Sequence, residues 1–222
     1  MTNKSKIEFI TISSIFNAMN SQSSSSLVLT FNPDRIFIFF QLLENGFIIK
    51  EKVGCSVKEF LCNRMFIEQD YLDNRIQTIF LNGKPVDDVN SAIVKDGSAI
   101  SLSAAMPGLV GAMMRRGGAL ASMRSGISHV SAETSEDSYE GKVTIKFFNL
   151  ISKELGPEFL NRGIIIDGKT FAGFIGSNRK IIEAGLFSAE TDGVKIETEE
   201  LFNIKWEDKA ELFLKVINKR SE

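Results

Sequence analysis

The hydrophobic pattern along the chain changes character several times. Ile36-Phe37-Ile38-Phe39-Phe40 is a continuous apolar run of β-favouring residues, and Phe47 to Val53 follows the turn signal Glu44-Asn45-Gly46. This spacing predicts a β-hairpin, because Asn-Gly readily takes positive φ. Ser56 with Glu59 three residues later reads as a capping box. Val57, Phe60, Leu61 and Met65 then give a helix its apolar face. Ile76 to Leu81 predicts a strand, Asn82-Gly83-Lys84-Pro85 a turn, Asp96-Gly97 a second turn, and Ser98 to Ser103 a final strand. Residues 27–105 are therefore expected to form one compact unit.

The pattern on either side differs. Residues 1–26 place Ile12, Ile15, Phe16 and Met19 at helical spacing and end in a run of serines that reads as a flexible N-terminal segment. Residues 106–140 join a Met/Gly/Arg-rich stretch to an acidic linker containing Glu133, Glu136, Asp137 and Glu140. Residues 141–222 resume regular patterning. Val143, Ile145 and Phe147 alternate as in a strand, and Leu150 to Leu160 follow helical spacing with a break expected at Gly156-Pro157. Ile164 to Ile166, Val194 to Ile196 and Glu211 to Ile217 read as strands. Asp167-Gly168 reads as a turn, and Phe171 to Ile182 as helical segments. The expected fold class is α+β, with a second small α+β domain over residues 141–222.

Composition narrows the chemistry. The formal net charge of −2 gives no global basic field, so no nucleic-acid partner is expected. One His and two Cys are too few for an ordinary four-ligand zinc site, and no cofactor or metal is expected. Cys55 and Cys62 lie at the two ends of the predicted helix, too far apart to bridge. Unbridged thiols fit a reducing cytoplasm. The longest apolar stretch, Ala104 to Met114, is about eleven residues, short of the roughly 20 that a spanning helix needs, so no membrane partner is expected.

Individual candidates are weak. His129 has no orienting partner in the sequence. Cys55, just before the helix, would have its thiolate favoured by the helix dipole. The glycines from Gly108 to Gly118 lack the P-loop and dinucleotide fingerprints. Asp87-Asp88 and Glu199-Glu200 are paired acids of the kind that can hold a hard cation, though such pairs in turns are usually solvated. The most unusual feature is the segment 104–126. It carries Met106, Gly108, Met113, Met114, Arg115, Arg116, Gly117, Gly118 and Arg124, with no acid between Met106 and Gly126. Methionine and small residues suit adaptable contact surfaces, so a protein partner or a second copy of the chain is the expected occupant.

The order of these features from Ile36 to Gly108 resembles the β-grasp sulfur carriers, namely the small subunit of molybdopterin synthase and the thiamine sulfur carrier, relatives of ubiquitin. The resemblance rests on the leading hairpin and the helix from Ser56. It rests further on the strand Ile79-Phe80-Leu81 running into Asn82-Gly83, on the turn Lys95-Asp96-Gly97, and on the last strand running into Met106-Pro107-Gly108. It spans roughly residues 27–108, about a third of the chain. It implies a non-catalytic β-grasp protein acting as an interaction or carrier-like module, with residues 104–126 as the functional segment. It also implies an alternative, a sulfur-carrier precursor activated by an adenylating enzyme at a Gly-Gly terminus created after Gly118. Here Gly117-Gly118 follows Arg115-Arg116, but the chain continues for about a hundred residues, which is not typical of that family. A further alternative is an enzyme with an acidic site between the two domains.

Overall fold

The computed structural model describes residues 25–124 and 138–219. Their strands, in chain order, are β1 (Ser25–Phe31), β2 (Phe47–Val53), β3 (Cys55–Ser56), β4 (Thr78–Leu81), β5 (Lys84–Pro85) and β6 (Ile93–Val94). These are followed by β7 (Ala99–Ser103), β8 (Tyr139–Phe148), β9 (Ile164–Ile166), β10 (Leu186–Thr191), β11 (Val194–Ile196) and β12 (Leu212–Asn218). Ten of them form one mixed sheet in the order β11-β10-β1-β12-β9-β2-β8-β7-β4-β5, while β3 pairs with β6. The protein is thus α+β.

The sheet does not divide where the sequence patterning changes. Strand β8, from beyond the acidic stretch, lies between β2 and β7, antiparallel to the first and parallel to the second. Strand β1 likewise runs parallel to β12, pairing Leu27 with Leu214. The expected units 27–105 and 141–222 therefore share one sheet and one continuous core. Apolar periodicity reports which side of an element is buried, and carries no information about which distant strand pairs with it.

The expected hairpin is a correction of the same kind. Residues Pro33–Phe39 form a 3-10 helix that continues into α1 (Phe40–Asn45). The local cause is Asn32, whose side-chain oxygen accepts from the Asp34 N–H at 2.9 Å, with Pro33 fixing φ in the first turn. A short apolar run cannot be assigned by periodicity alone, and here the cap decides. The antiparallel partner of β2 is β8, with Phe47 opposite Ile145. Ser25 and Ser26 belong to β1, not to a linker; Leu27, Leu29 and Phe31 alternate into the core.

Other local readings hold with changed details. Ser56 caps a helix by accepting from the Glu59 N–H at 3.1 Å. That helix is α2 (Val57–Glu59), extended by a π-helical stretch Phe60–Arg64, and the Glu59 carboxylate turns to Arg64 instead of closing a box. Helix α3 (Gln69–Asn74) leads into β4. The Asn82-Gly83 turn has φ of 52° and 76°, positive at both positions as a tight hairpin requires. After β8, helix α5 (Leu150–Arg162) runs straight through the expected break at Pro157. Gly156 is buried there, where a Cβ would come within 2.8 Å of Leu43 and 3.0 Å of Phe40, so the close approach of α5 to α1 overrides the proline. Asp167 caps α6 (Gly168–Ser177) by accepting from the Thr170 N–H at 2.8 Å, and is not part of a free turn. Helices α7 (Arg179–Gly185) and α8 (Thr198–Asn203) complete the layer.

The helices pack on one face of the sheet. Phe47, Phe147 and Phe159 meet at ring-centroid distances of 5.0–5.8 Å, and Trp206 stacks edge-on against Phe171 at 5.2 Å while donating to the Leu201 carbonyl. On the opposite face Glu211 binds Lys50 at 2.6 Å and Lys142 at 2.7 Å, tying β2 and β8 to the start of β12. Burial pushes the Glu211 carboxyl upward, but the hydrogen bonds from Lys142 and Lys50 outweigh it, and the net shift is downward. A carboxylate with a folded pKa below its unfolded value contributes fully above the unfolded value and loses that contribution as pH falls through the folded one. Glu211→Gln is therefore expected to cost about 1 kcal/mol at pH 7, and much less near pH 3. Urea titrations of both proteins at the two pH values check this; an equal loss at both would exclude the ionised clamp.

Candidate functional site

The segment singled out by composition folds as a strap across one end of the sheet. After β7 the chain passes Ala105-Met106-Pro107 into α4 (Gly108–Met114), turns at Arg115 to Leu120, and closes with a 3-10 turn, Ala121–Arg124. Gly111 is buried, and a Cβ on it would sit 2.1 Å from the Met106 carbonyl oxygen, so only glycine permits the helix to fold back so tightly. Gly117 has φ of 62° and open space around it, so Gly117-Gly118 is a turn within the strap.

Two arginines hold the strap in place. The Arg124 side chain is fully buried, and its guanidinium forms a two-pronged pair with Asp87, Nη2 to Oδ1 at 2.6 Å and Nη1 to Oδ2 at 2.9 Å. Its Nε donates to the Met113 carbonyl at 2.6 Å, so the same side chain closes the strap on itself. Arg116 is the second anchor. Its backbone N–H donates to the Gln77 carbonyl at 2.8 Å, and its Nη2 to the Leu72 carbonyl at 2.9 Å.

Burial sorts the remaining candidates. Met106, Met113, Met114 and Gly118 are half-buried, while Gly108, Arg115 and Gly117 are exposed. The strap's largest outward apolar side chains are Leu109, Val110 and Met123, 66–68% exposed. Sequence reasoning named the methionines and arginines but missed Asp87 as the anchor's partner, and missed Leu109 and Val110 as the outward face. A signal existed for the first: three arginines in a stretch without acids need acids from elsewhere, and Asp87 had been weighed only as a cation ligand.

The other candidates resolve into structural roles or lie elsewhere. Cys55 is buried in β3, and desolvation, helped by nearby Glu59, pushes its thiol pKa up, opposite to the shift that makes a cysteine reactive. Cys62 is also free, and burial raises its pKa. Asp88 accepts from the Asn90 N–H in a local turn, Glu199 pairs with Arg179, and Glu200 completes the capping box of α8. His129, Glu133, Glu136 and Asp137 lie outside the described residues. Among the described residues no group of three or more His, Cys, Asp or Glu could hold a metal ion, and no helix is long and apolar enough to cross a membrane.

Two further clusters have chemistry worth placing. Glu154 on α5 receives the Arg75 guanidinium through Nε and Nη2 and the Tyr71 hydroxyl at 2.7 Å. The Arg75 bonds hold Glu154 below the usual carboxylate range, while burial and the Glu154 bond push the Tyr71 phenol well above its own. The bonds from Tyr71 and Arg75 to Glu154 join the end of α3 to α5. A shallow depression of about 460 Å³ lies between β11 and α8, lined by Val194, Ile196, Glu200 and Ile204. Lys195, Glu200 and Asn203 are its polar lining residues. No protein-family model, curated protein or solved structure matches this chain.

Proposed function

We propose that the protein is a non-catalytic interaction module of β-grasp type, with the strap Met106–Arg124 as its docking element. The β-grasp reading is supported by the helix that follows β2, by β4 running into Asn82-Gly83, and by the Lys95-Asp96-Gly97 turn before β7. The partner strand for β2 comes from β8, in place of the expected leading strand. The observation that carries the docking role is the outward display of Leu109, Val110 and Met123 on a segment held from beneath by a buried arginine. Apolar side chains gathered on a firmly anchored element suit a partner better than scattered surface residues do. With Arg115 exposed and no acid between Met106 and Gly126, the fitting partner is a protein with an apolar groove rimmed by acids.

The triple replacement Leu109→Ser, Val110→Ser and Met123→Ser tests the reading. Stability is expected to change by less than about 0.5 kcal/mol per site, because these side chains touch little. Quantitative affinity capture from the source cells, wild type against triple variant, should lose its specific partner at least about tenfold, the ratio equivalent to 1.4 kcal/mol. Equal capture by both would sink the docking role.

A second reading, the processed sulfur carrier, is favoured by one observation. Gly117 and Ala119 are exposed in a turn, with open space around Gly117. Cleavage after Gly118 would place a new carboxylate at the surface. Intact-mass measurement of the native protein decides it: a species ending at Gly118 supports the carrier, and full-length chain alone from active cells argues against it.

A further inference from the structure

The docking role calls for a partner with an apolar groove rimmed by acids, and a surface of that kind lies on this chain itself. The depression between β11 and α8 has Val194, Ile196 and Ile204 as its apolar lining and Glu200 beside them. Val194 and Ile196 are two positions apart on β11, so their side chains share one face of the strand. They stay uncovered for a local reason. Strand β11 ends the sheet and is three residues long, and α8 beside it is six residues long, too short to roof the strand. Val194 is consequently 65% exposed. The volume of about 460 Å³ falls within the roughly 300–1,000 Å³ of pockets that take a small ligand, so a side chain of the size of Leu109 fits. The cations at this end are matched by acids: Arg179 binds Glu183 and Glu199, and Lys195 stands opposite Glu190 in the ladder. Glu197 and Glu200, the capping-box pair of α8, remain exposed at the rim.

We propose that the partner of the strap is a second copy of this chain, which receives Leu109 and Val110 in the depression between β11 and α8. The inference rests on the docking reading above and names its partner. The two surfaces complement each other in kind. The strap offers exposed Leu109 and Val110 with exposed Arg115 nearby and no acid between Met106 and Gly126. The depression offers Val194, Ile196 and Ile204 with acids at its edge. The strap cannot fill the depression of its own molecule. It is bonded to Gln77 just before β4, and β4 stands eight strand spacings from β11, roughly 38 Å along the sheet. The contact therefore joins two molecules, and it joins unlike surfaces. A symmetric strap-to-strap contact would bring Arg115 against its own equivalent, a like-charge arrangement that disfavours it. Each copy in a head-to-tail contact keeps one strap and one depression unoccupied, so species larger than dimers follow as concentration rises. The contact surface is small, which places the association in the weak class, with Kd between about 10 µM and 1 mM.

Sedimentation equilibrium of the full-length protein tests the inference, over concentrations from about 1 µM to 1 mM. Wild type is expected to pass from monomer to dimer and larger species. Val110→Asp in the strap and Val194→Asp in the depression each place a carboxylate against apolar side chains, and both sites are exposed, so the fold is retained. Each variant alone should associate at least about tenfold more weakly than wild type. The decisive sample is their equimolar mixture. Val110→Asp keeps an intact depression and Val194→Asp keeps an intact strap, so the mixture should regain wild-type affinity and stop at the dimer. That recovery also shows that neither variant has lost its fold. Wild type that stays monomeric up to about 1 mM overturns the inference. So does association that either variant leaves unchanged, or a mixture that recovers nothing. The docking reading is judged separately by the capture comparison above. A strap that loses its captured partner on triple replacement, while the pure chain stays monomeric, docks on a different protein.

Discussion

Asp87→Ala is expected to open the strap. The substitution removes the carboxylate from the fully buried Arg124 guanidinium, while its donations to the Met113 and Arg115 carbonyls remain. Hydrogen bonds to a charged group are worth about 1.5–3 kcal/mol, and the penalty reaches about 3–5 kcal/mol when both partners of a broken pair are deeply buried. Asp87 is 42% exposed, so water recovers part of the loss and a value near 2 kcal/mol is expected. That corresponds to roughly a 30-fold larger open population. None of residues 105–124 belongs to the hydrophobic core cluster, so the effect should remain local and the global unfolding midpoint should move less. Trypsin reads the opening directly, because Arg115 and Arg116 sit in the strap and cleavage under native conditions tracks the open population. A trypsin rate at Arg115-Arg116 unchanged by Asp87→Ala would mean that packing, not the ion pair, keeps the strap closed. Arg124→Met provides the complementary comparison, since it removes the buried charge and retains much of the volume.

What the sequence discloses about this fold depends on whether the cause is local. The turns at Asn82-Gly83 and Asp96-Gly97, the cap at Ser56 and the alternation Val143, Ile145, Phe147 are set by residues within a few positions of one another, and all could be read. The segment Ile36–Phe40 was misread because its helical signal lies upstream, in the Asn32-Pro33-Asp34 cap, while the apolar run itself fits either structure. The continuation of α5 past Pro157 goes with the close approach of Leu43 and Phe40 to Gly156, from more than a hundred residues earlier in the chain. The strap shows both limits. Its composition marks it, because a stretch with three arginines and no acid is unusual in a chain of net charge −2. Its anchoring does not show, because Arg124 and Asp87 are 37 positions apart and the sequence contains nothing that pairs them.

Phe147→Ala is expected to have the largest effect on stability. Phe147 is fully buried on β8, with Phe47 at 5.2 Å and Phe159 at 5.0 Å, both edge-on. Truncating a buried phenylalanine typically costs about 3–5 kcal/mol, from lost transfer energy and the cavity left behind. For a chain of this size that is a fall in Tm on the order of 10 °C. How the loss is distributed tests the architecture. Strand β8 is the seam of the sheet, bonded to β2 on one side and to β7 on the other, so weakening it should weaken residues on both sides together. Trp206 fluorescence reports the C-terminal half, and hydrogen exchange in β4 reports the other. Both should shift to the same lower midpoint in Phe147→Ala. Two separate transitions, or a loss confined to residues 141–219, would mean that the halves fold as independent units despite sharing a sheet. A coincident shift would instead make the strands on both sides of β8 parts of one cooperative body, unfolding together although their residues come from distant parts of the chain.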